Sequence, residues 1–128
     1  MPELPEVETI RRQLEPELVG RSVREAWSHP SAKFTPAIEV TGARVTGTDR
    51  RGKYLLLQLD DGRDFVVHLG MTGQLMFDSE IDAYVRAWWV LDDRRTLAFR
   101  DVRRFGRLHV VERGHHDSIP TGEISGWH

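Results

Sequence analysis

The apolar residues change period at Gly20, and that change dictates what the chain can fold into. Before it, Leu4, Val7, Ile10, Leu14 and Leu18 recur at spacings of three and four, the stripe of a helix lying on a core. Gly20 is a reasonable stop, and Pro16 is expected to break the helix or start a second short turn. After Gly20 the period is two. Strands are expected over residues 22–27, 43–48, 54–59, 65–69, 87–91, 96–100 and 108–111. A polar loop runs through His29, Pro30 and Pro36. Asp60-Asp61-Gly62 turns one hairpin, and Asp92-Asp93-Arg94-Arg95 turns another. One helix followed by short, regularly spaced strands predicts a mostly β fold with α. It would be an N-terminal helix packed on a β-sandwich, or flattened barrel, of about eight antiparallel strands.

The chain shows no internal repeat and no linker, so residues 1–128 are expected to form a single domain, large enough to bury a core. From Gly114 onward the composition turns polar, and this tail is expected to be poorly ordered. Apolar runs are far too short to span a bilayer, and the acidic, proline-containing start is unlike a signal peptide, so a cytoplasmic protein is the default. With no cysteine there is neither a disulfide framework nor a thiolate zinc site. The histidines do not replace one: His115 and His116 are adjacent, and no helical His-Glu pair accompanies them. No metal is expected.

The net charge of −2 gives no hint of a polyanionic partner, but the distribution does. Arginines 94, 95, 100, 103, 104 and 107 surround a single acid, Asp101, and Arg50, Arg51 and Lys53 form a second basic cluster. Acids gather instead in the N-terminal helix and around Asp78, Glu80 and Asp82. Such asymmetry permits a local phosphate-binding surface on an acidic protein.

Four stretches carry chemistry as well as structure. Removal of Met1 before the small Pro2 would leave a secondary amine at the N-terminus, and free α-amines titrate near ~7.7–8.0. Attack of such an amine on a carbonyl carbon gives an iminium, an efficient electron sink, and Glu3 is placed to move protons for it. With Met1 retained, Pro2 is an amide nitrogen and has no such chemistry. The bland alternative is a helix start, with Pro5 in the first turn and Glu6 and Glu8 against the helix dipole. In Arg51-Gly52-Lys53-Tyr54, Lys53 is either a solvated strand-end lysine or a mobile cation for a phosphate or carbonyl oxygen. In His68-Leu69-Gly70-Met71-Thr72-Gly73, Met71 is either buried filler or an apolar wedge for a base stack. In Asp101-Val102-Arg103-Arg104-Phe105-Gly106-Arg107, an aromatic set among arginines reads as a solvated basic loop or as a nucleic-acid contact.

Together, Pro2-Glu3-Leu4-Pro5-Glu6-Val7-Glu8-Thr9, Arg50-Arg51-Gly52-Lys53-Tyr54-Leu55-Leu56, His68-Leu69-Gly70-Met71-Thr72-Gly73 and Asp101-Val102-Arg103-Arg104-Phe105-Gly106 closely resemble the N-terminal catalytic domain of formamidopyrimidine-DNA glycosylase. The wider family includes endonuclease VIII, and the Leu-Pro-Glu-Val-Glu start resembles the formamidopyrimidine branch. The resemblance implies a bifunctional base-excision repair enzyme for 8-oxoguanine and formamidopyrimidines, with glycosylase and abasic-site lyase activity. By similarity, Pro2 attacks the sugar C1′ and the resulting Schiff base supports β- and δ-elimination. Glu3 is the general acid/base, Glu6 a supporting carboxylate, and Lys53 a contact to phosphate and damaged base. Met71, Arg103 and Phe105 resemble the residues that fill the void left by the flipped nucleotide. Arg104 is expected to be structural or a phosphate contact.

The implied partner is double-stranded DNA with an oxidised purine or abasic site. The implied setting is the bacterial cytoplasm and its nucleoid, the expected state a monomer, and no cofactor is needed in this chain. The resemblance also has gaps. The family's helix-two-turn-helix is absent, as is its cysteine zinc finger, so the chain reads as an isolated N-terminal domain. Where the family carries a His-x-His for phosphate, this chain has Asp82-Ala83-Tyr84-Val85-Arg86, so that contact is lost or passed to Arg86. Two other readings follow from the same residues: a truncated, non-catalytic module that binds damaged DNA, and a protein-interaction β-sandwich.

Overall fold

The computed structural model describes residues 4–113. Pro2 and Glu3 lie outside the described residues, as does the tail from Gly114 onward. The helix α1 spans Leu4–Leu18, followed by strands β1 (Val23–Ser28), β2 (Val45–Arg51), β3 (Tyr54–Leu59), β4 (Arg63–His68), β5 (Gln74–Phe77), β6 (Val85–Leu91), β7 (Thr96–Arg100) and β8 (Arg107–Glu112). They form two antiparallel four-stranded sheets, ordered β1-β6-β7-β5 and β2-β3-β4-β8. The expected helix-on-sandwich architecture is observed.

The two sheets face each other across one apolar core. Phe34, Leu55, Phe99 and Leu108 are fully buried in it, and rings pack edge to face where Phe65 meets Trp89 and Phe34 meets Phe99. Fully burying side chains of this size contributes roughly 1.5–3 kcal/mol each. The sandwich is open along both sides, and two helical segments close it. On one side α1 packs along the edge strand β2 and faces β5 across a groove lined by Ile10, Leu14, Leu75 and Phe77. On the other, a short 3₁₀ helix, Thr35–Val40, packs between β1 and β8. Pro36 starts that segment, Ala37 and Val40 are buried, and Ala37 O accepts the indole N–H of Trp89 at 2.9 Å. A 3₁₀ helix thus stands where the sequence predicts only a polar loop. Its apolar residues are too few to show a period, and it takes its form from the gap it fills.

Two other expectations are corrected. First, α1 runs through Pro16 instead of breaking there. Pro16 is exposed, while Leu14 and Leu18 on either side are pinned in the core at 5% and 1% exposure. The carbonyl that loses its donor is that of the exposed Arg12, and packing of Leu14 and Leu18 outweighs the proline. Second, residues 74–77 form a strand. Leu75 and Phe77 pack on the core, but Met76 between them hides the alternation, and four residues are too few to reveal a period of two.

Candidate functional site

The register gathers three of the sequence motifs at one end of the sandwich. Across the second sheet, Arg51 pairs with Tyr54, Tyr54 with His68, and His68 with Arg107, making one row at its rim. In the first sheet the matching row is Gln74, Arg100 and Val85. Two crossovers join these rows, one from His68 to Gln74 and one from Arg100 to Arg107. They carry Met71 on one and Arg103, Arg104 and Phe105 on the other. The β2–β3 hairpin ends on the same rim, its two-residue turn made by Gly52 (φ 58) and Lys53, a pattern that suits glycine at the first turn position. The rings of Tyr54 and His68 stack there, 4.9 Å between centroids.

The N-terminal end of α1 is tied to this rim by charge. Glu8 accepts from Arg11 at 2.9 and 2.8 Å, from Arg12 at 2.9 Å, and from Arg50 on β2 at 3.4 Å. Arg50 in turn donates to Gly52 O at 2.9 Å, next to Lys53. Hydrogen bonds from Arg11 and Arg12 hold the Glu8 carboxyl near about 2, well below its ordinary 4.5. Farther along, Arg11 and Glu15 both bond Thr48, so the helix lies antiparallel to β2. Beyond its place near the helix dipole, Glu8 is the joint between α1 and the hairpin bearing Lys53. Glu6, one position before the buried Val7, is exposed in the first turn of the helix.

The two crossover loops are packed backbone against backbone. Gly70 has φ +67, and a Cβ there would lie 2.7 Å from both Gly106 N and Phe105 C. A Cβ on Gly106 would meet Phe99 Cζ at 2.7 Å and Asp101 Oδ2 at 2.8 Å. Beneath them Asp101 is fully buried. Its Oδ1 accepts the Thr72 hydroxyl at 2.7 Å and its Oδ2 accepts Gly106 N–H at 2.8 Å, while Thr72 Oγ1 accepts Arg103 N–H at 3.0 Å. The sequence signals for Thr72 and Asp101 are slight, a threonine near two glycines and one acid among six arginines.

With the loops so held, Met71 and Phe105 point away from the core, 50% and 48% exposed, and the Arg103 guanidinium lies 5.1 Å over the Phe105 ring. Met71 is thus an outward residue, not filler. Arg104, at φ 60, donates to His29 Nε2 at 2.7 Å, and its carbonyl accepts from Lys33 Nζ. Desolvation first, and then the charges of Arg104 and Arg86, push the His29 imidazole below its usual range, which suits a neutral acceptor. Among the described residues, neither Arg103 nor Arg104 pairs with a carboxylate.

Of the two alternatives for the missing His-x-His contact, lost or passed to Arg86, the geometry favours the first: Arg86 is 6% exposed and donates to Asp101 O at 2.9 Å, Val102 O at 3.4 Å and Ala83 O at 3.4 Å. Three carbonyl acceptors occupy its guanidinium, so it braces the Asp101 loop from within.

This helix-closed β-sandwich, with two apolar side chains raised on interlocked, arginine-bearing loops, is of the class of DNA-glycosylase N-terminal domains. The particular assignment is direct: residues 1–108 match the formamidopyrimidine-DNA glycosylase N-terminal domain, and the chain belongs to that family. It is 47% identical over 120 residues to formamidopyrimidine-DNA glycosylase of Thermus thermophilus, covering 94% of this chain and 44% of the relative. The crystal structure of MutM (Fpg) from that organism superposes with a TM-score of 0.82 over 93% of this chain and 44% of that one, at 46% identity. A MutM complex with DNA containing carbocyclic 8-oxo-G gives a TM-score of 0.79 at 30% identity, covering 88% of this chain and 45% of that one. The chain thus spans less than half the length of these relatives.

Proposed function

We propose that this domain carries the catalytic chemistry of a DNA glycosylase with abasic-site lyase activity, acting on oxidised purines in duplex DNA. In this reading the Pro2 amine, freed of Met1, attacks C1′ of the damaged nucleotide and the N-glycosidic bond breaks as the base leaves. Glu3 protonates the ring oxygen, the sugar opens, and the C1′–nitrogen bond becomes an iminium. Loss of a C2′ proton then expels the 3′ phosphate, and a second elimination expels the 5′ phosphate. Lys53 contacts phosphate and base, and Glu6 supports the site. Met71 and Phe105 replace the flipped nucleotide in the stack, and Arg103 offers hydrogen bonds to the orphaned cytosine. Arg104 serves the flanking backbone.

The observation that carries this reading is the wedge. Half-exposed Met71 and Phe105 stand on two interlocked loops beside arginines without carboxylate partners among the described residues, on the rim where the Lys53 turn ends. An exposed apolar pair set among cations suits a stacked, phosphate-flanked ligand better than a protein face. Borohydride trapping on an abasic duplex, with protein whose mass confirms loss of Met1, is the test. A covalent adduct abolished by replacing Pro2 is expected. A second reading is a damage-binding module that keeps the wedge but has no turnover. It predicts abasic-duplex binding with no adduct.

A further inference from the structure

Met71 and Phe105 lie in different crossovers, more than thirty residues apart, yet both stand half exposed on one rim. Besides the close backbone packing at Gly70 and Gly106, a side-chain device ties the two loops together. A chain of hydrogen bonds runs from Arg103 N–H to Thr72 Oγ1 (3.0 Å), from the Thr72 hydroxyl to Asp101 Oδ1 (2.7 Å), and from Gly106 N–H to Asp101 Oδ2 (2.8 Å). Thr72 is the residue after Met71, Arg103 belongs to the wedge, and Gly106 follows Phe105. The Asp101 carboxylate is fully buried, so neither of these bonds competes with water on its side. Its own backbone is fixed from behind: Asp101 N–H donates to Tyr84 O at 3.0 Å, and Arg86 holds its carbonyl at 2.9 Å. Asp101 is therefore a fixed post to which the Thr72 hydroxyl and the Gly106 amide are both tied.

We propose that Thr72 and Asp101 form a latch that couples the Met71 loop to the Arg103–Phe105 loop, so that the two insert into duplex DNA as one body. Both are positioning residues: they touch neither the reacting atoms nor the base stack and act through Met71, Arg103 and Phe105. This rests on the wedge role given above, and the test separates failure of one from failure of the other.

The substitution is Thr72→Val, which keeps the branched shape and removes the hydroxyl, with Thr72→Ser as the variant that restores it. Wedge insertion is read from 2-aminopurine placed beside a tetrahydrofuran abasic analogue in a duplex, a site that binds without reacting. Amine chemistry is read by borohydride trapping on an abasic site in single-stranded DNA, where there is no stack to fill. In the DNA-free protein, amide hydrogen exchange is followed at Arg103 and Gly106. Thr72→Val should slow or shrink the insertion signal about tenfold, leave single-strand trapping within about twofold, and speed exchange at both amides about fivefold to tenfold, as expected for losing the hydrogen-bond relay. Thr72→Ser should restore all three.

The latch is overturned if Thr72→Val inserts as the wild type does. It is equally overturned if insertion and single-strand trapping fall together, the mark of general damage, or if only Arg103 exchanges faster while Gly106 is unmoved. If the wild-type chain gives neither insertion nor an adduct, the glycosylase reading falls and the latch falls with it. If the wild type gives both and the variant matches it, only the latch falls.

Discussion

Gly70→Ala is the perturbation that most directly tests whether the two rim loops are packed as described, and Gly62→Ala is its internal control. Both glycines have positive φ, +67 at Gly70 and +86 at Gly62, so an alanine at either incurs the left-handed backbone cost of about 1–2 kcal/mol. Alanine also lowers the entropy of the unfolded chain, which offsets about 0.4–1 kcal/mol at either site. The net is about 1 kcal/mol at Gly62, where nothing lies within 4 Å of the added Cβ. At Gly70 the Cβ meets Gly106 N and Phe105 C at 2.7 Å and Phe105 O at 3.0 Å. These are backbone atoms and cannot rotate away, so the loops must separate. Overpacking of this kind adds about 1–3 kcal/mol, for a total of about 3 kcal/mol. At about 4 °C per kcal/mol for a domain of this size, Gly62→Ala should lower Tm by about 4 °C and Gly70→Ala by about 12 °C, read by circular dichroism at neutral pH. Gly70→Ala should also lose affinity for an abasic duplex at a temperature where it is still folded, and Gly62→Ala should not. Equal melting shifts for the two variants would refute the backbone-on-backbone packing of the rim.

Three further outcomes are expected. Glu8 has its folded pKa lowered to about 2 from 4.5, so its contribution to stability is fully present above about 4.5 and is lost as pH falls toward 2. Glu8→Gln should flatten that part of an acid-denaturation curve, and an unchanged acid limb would contradict the arginine cluster. Met71→Ala and Phe105→Ala remove side chains about half exposed, so each should shift Tm by no more than a few degrees while weakening abasic-duplex binding about tenfold, measured by anisotropy. Arg86→Ala strands carbonyls of Ala83, Asp101 and Val102 and should cost about 2–3 kcal/mol in urea unfolding. A stable Arg86→Ala protein with weakened DNA binding would instead restore the phosphate role that its burial argues against.

Much of this protein is legible in local pattern, because pattern is what the backbone period reads. The stripe from Val7 to Leu18, the switch to a period of two after Gly20, and the turns at Asp60-Asp61-Gly62 and Asp92-Asp93-Arg94-Arg95 each report on a few neighbouring residues, and they define a helix laid on a sandwich. The residue types of the motifs, a lysine after Gly52, a methionine between glycines and an aromatic among arginines, likewise suggest their chemistry before any fold is known. The strand at Gln74–Phe77 and the 3₁₀ turn at Thr35–Val40 are not legible this way, because each takes its form from the edge or gap it covers. Pro16 stays helical for a related reason: burial of Leu14 and Leu18 outweighs a local preference. Tertiary structure alone decides that Arg86 is an internal brace, that Glu8 joins the helix to the Lys53 hairpin, and that Thr72 meets Asp101 across 29 positions of chain. Hydrogen bonds and charge pairs between residues far apart in sequence depend on strand register and on which loops share a rim, and no local period encodes either.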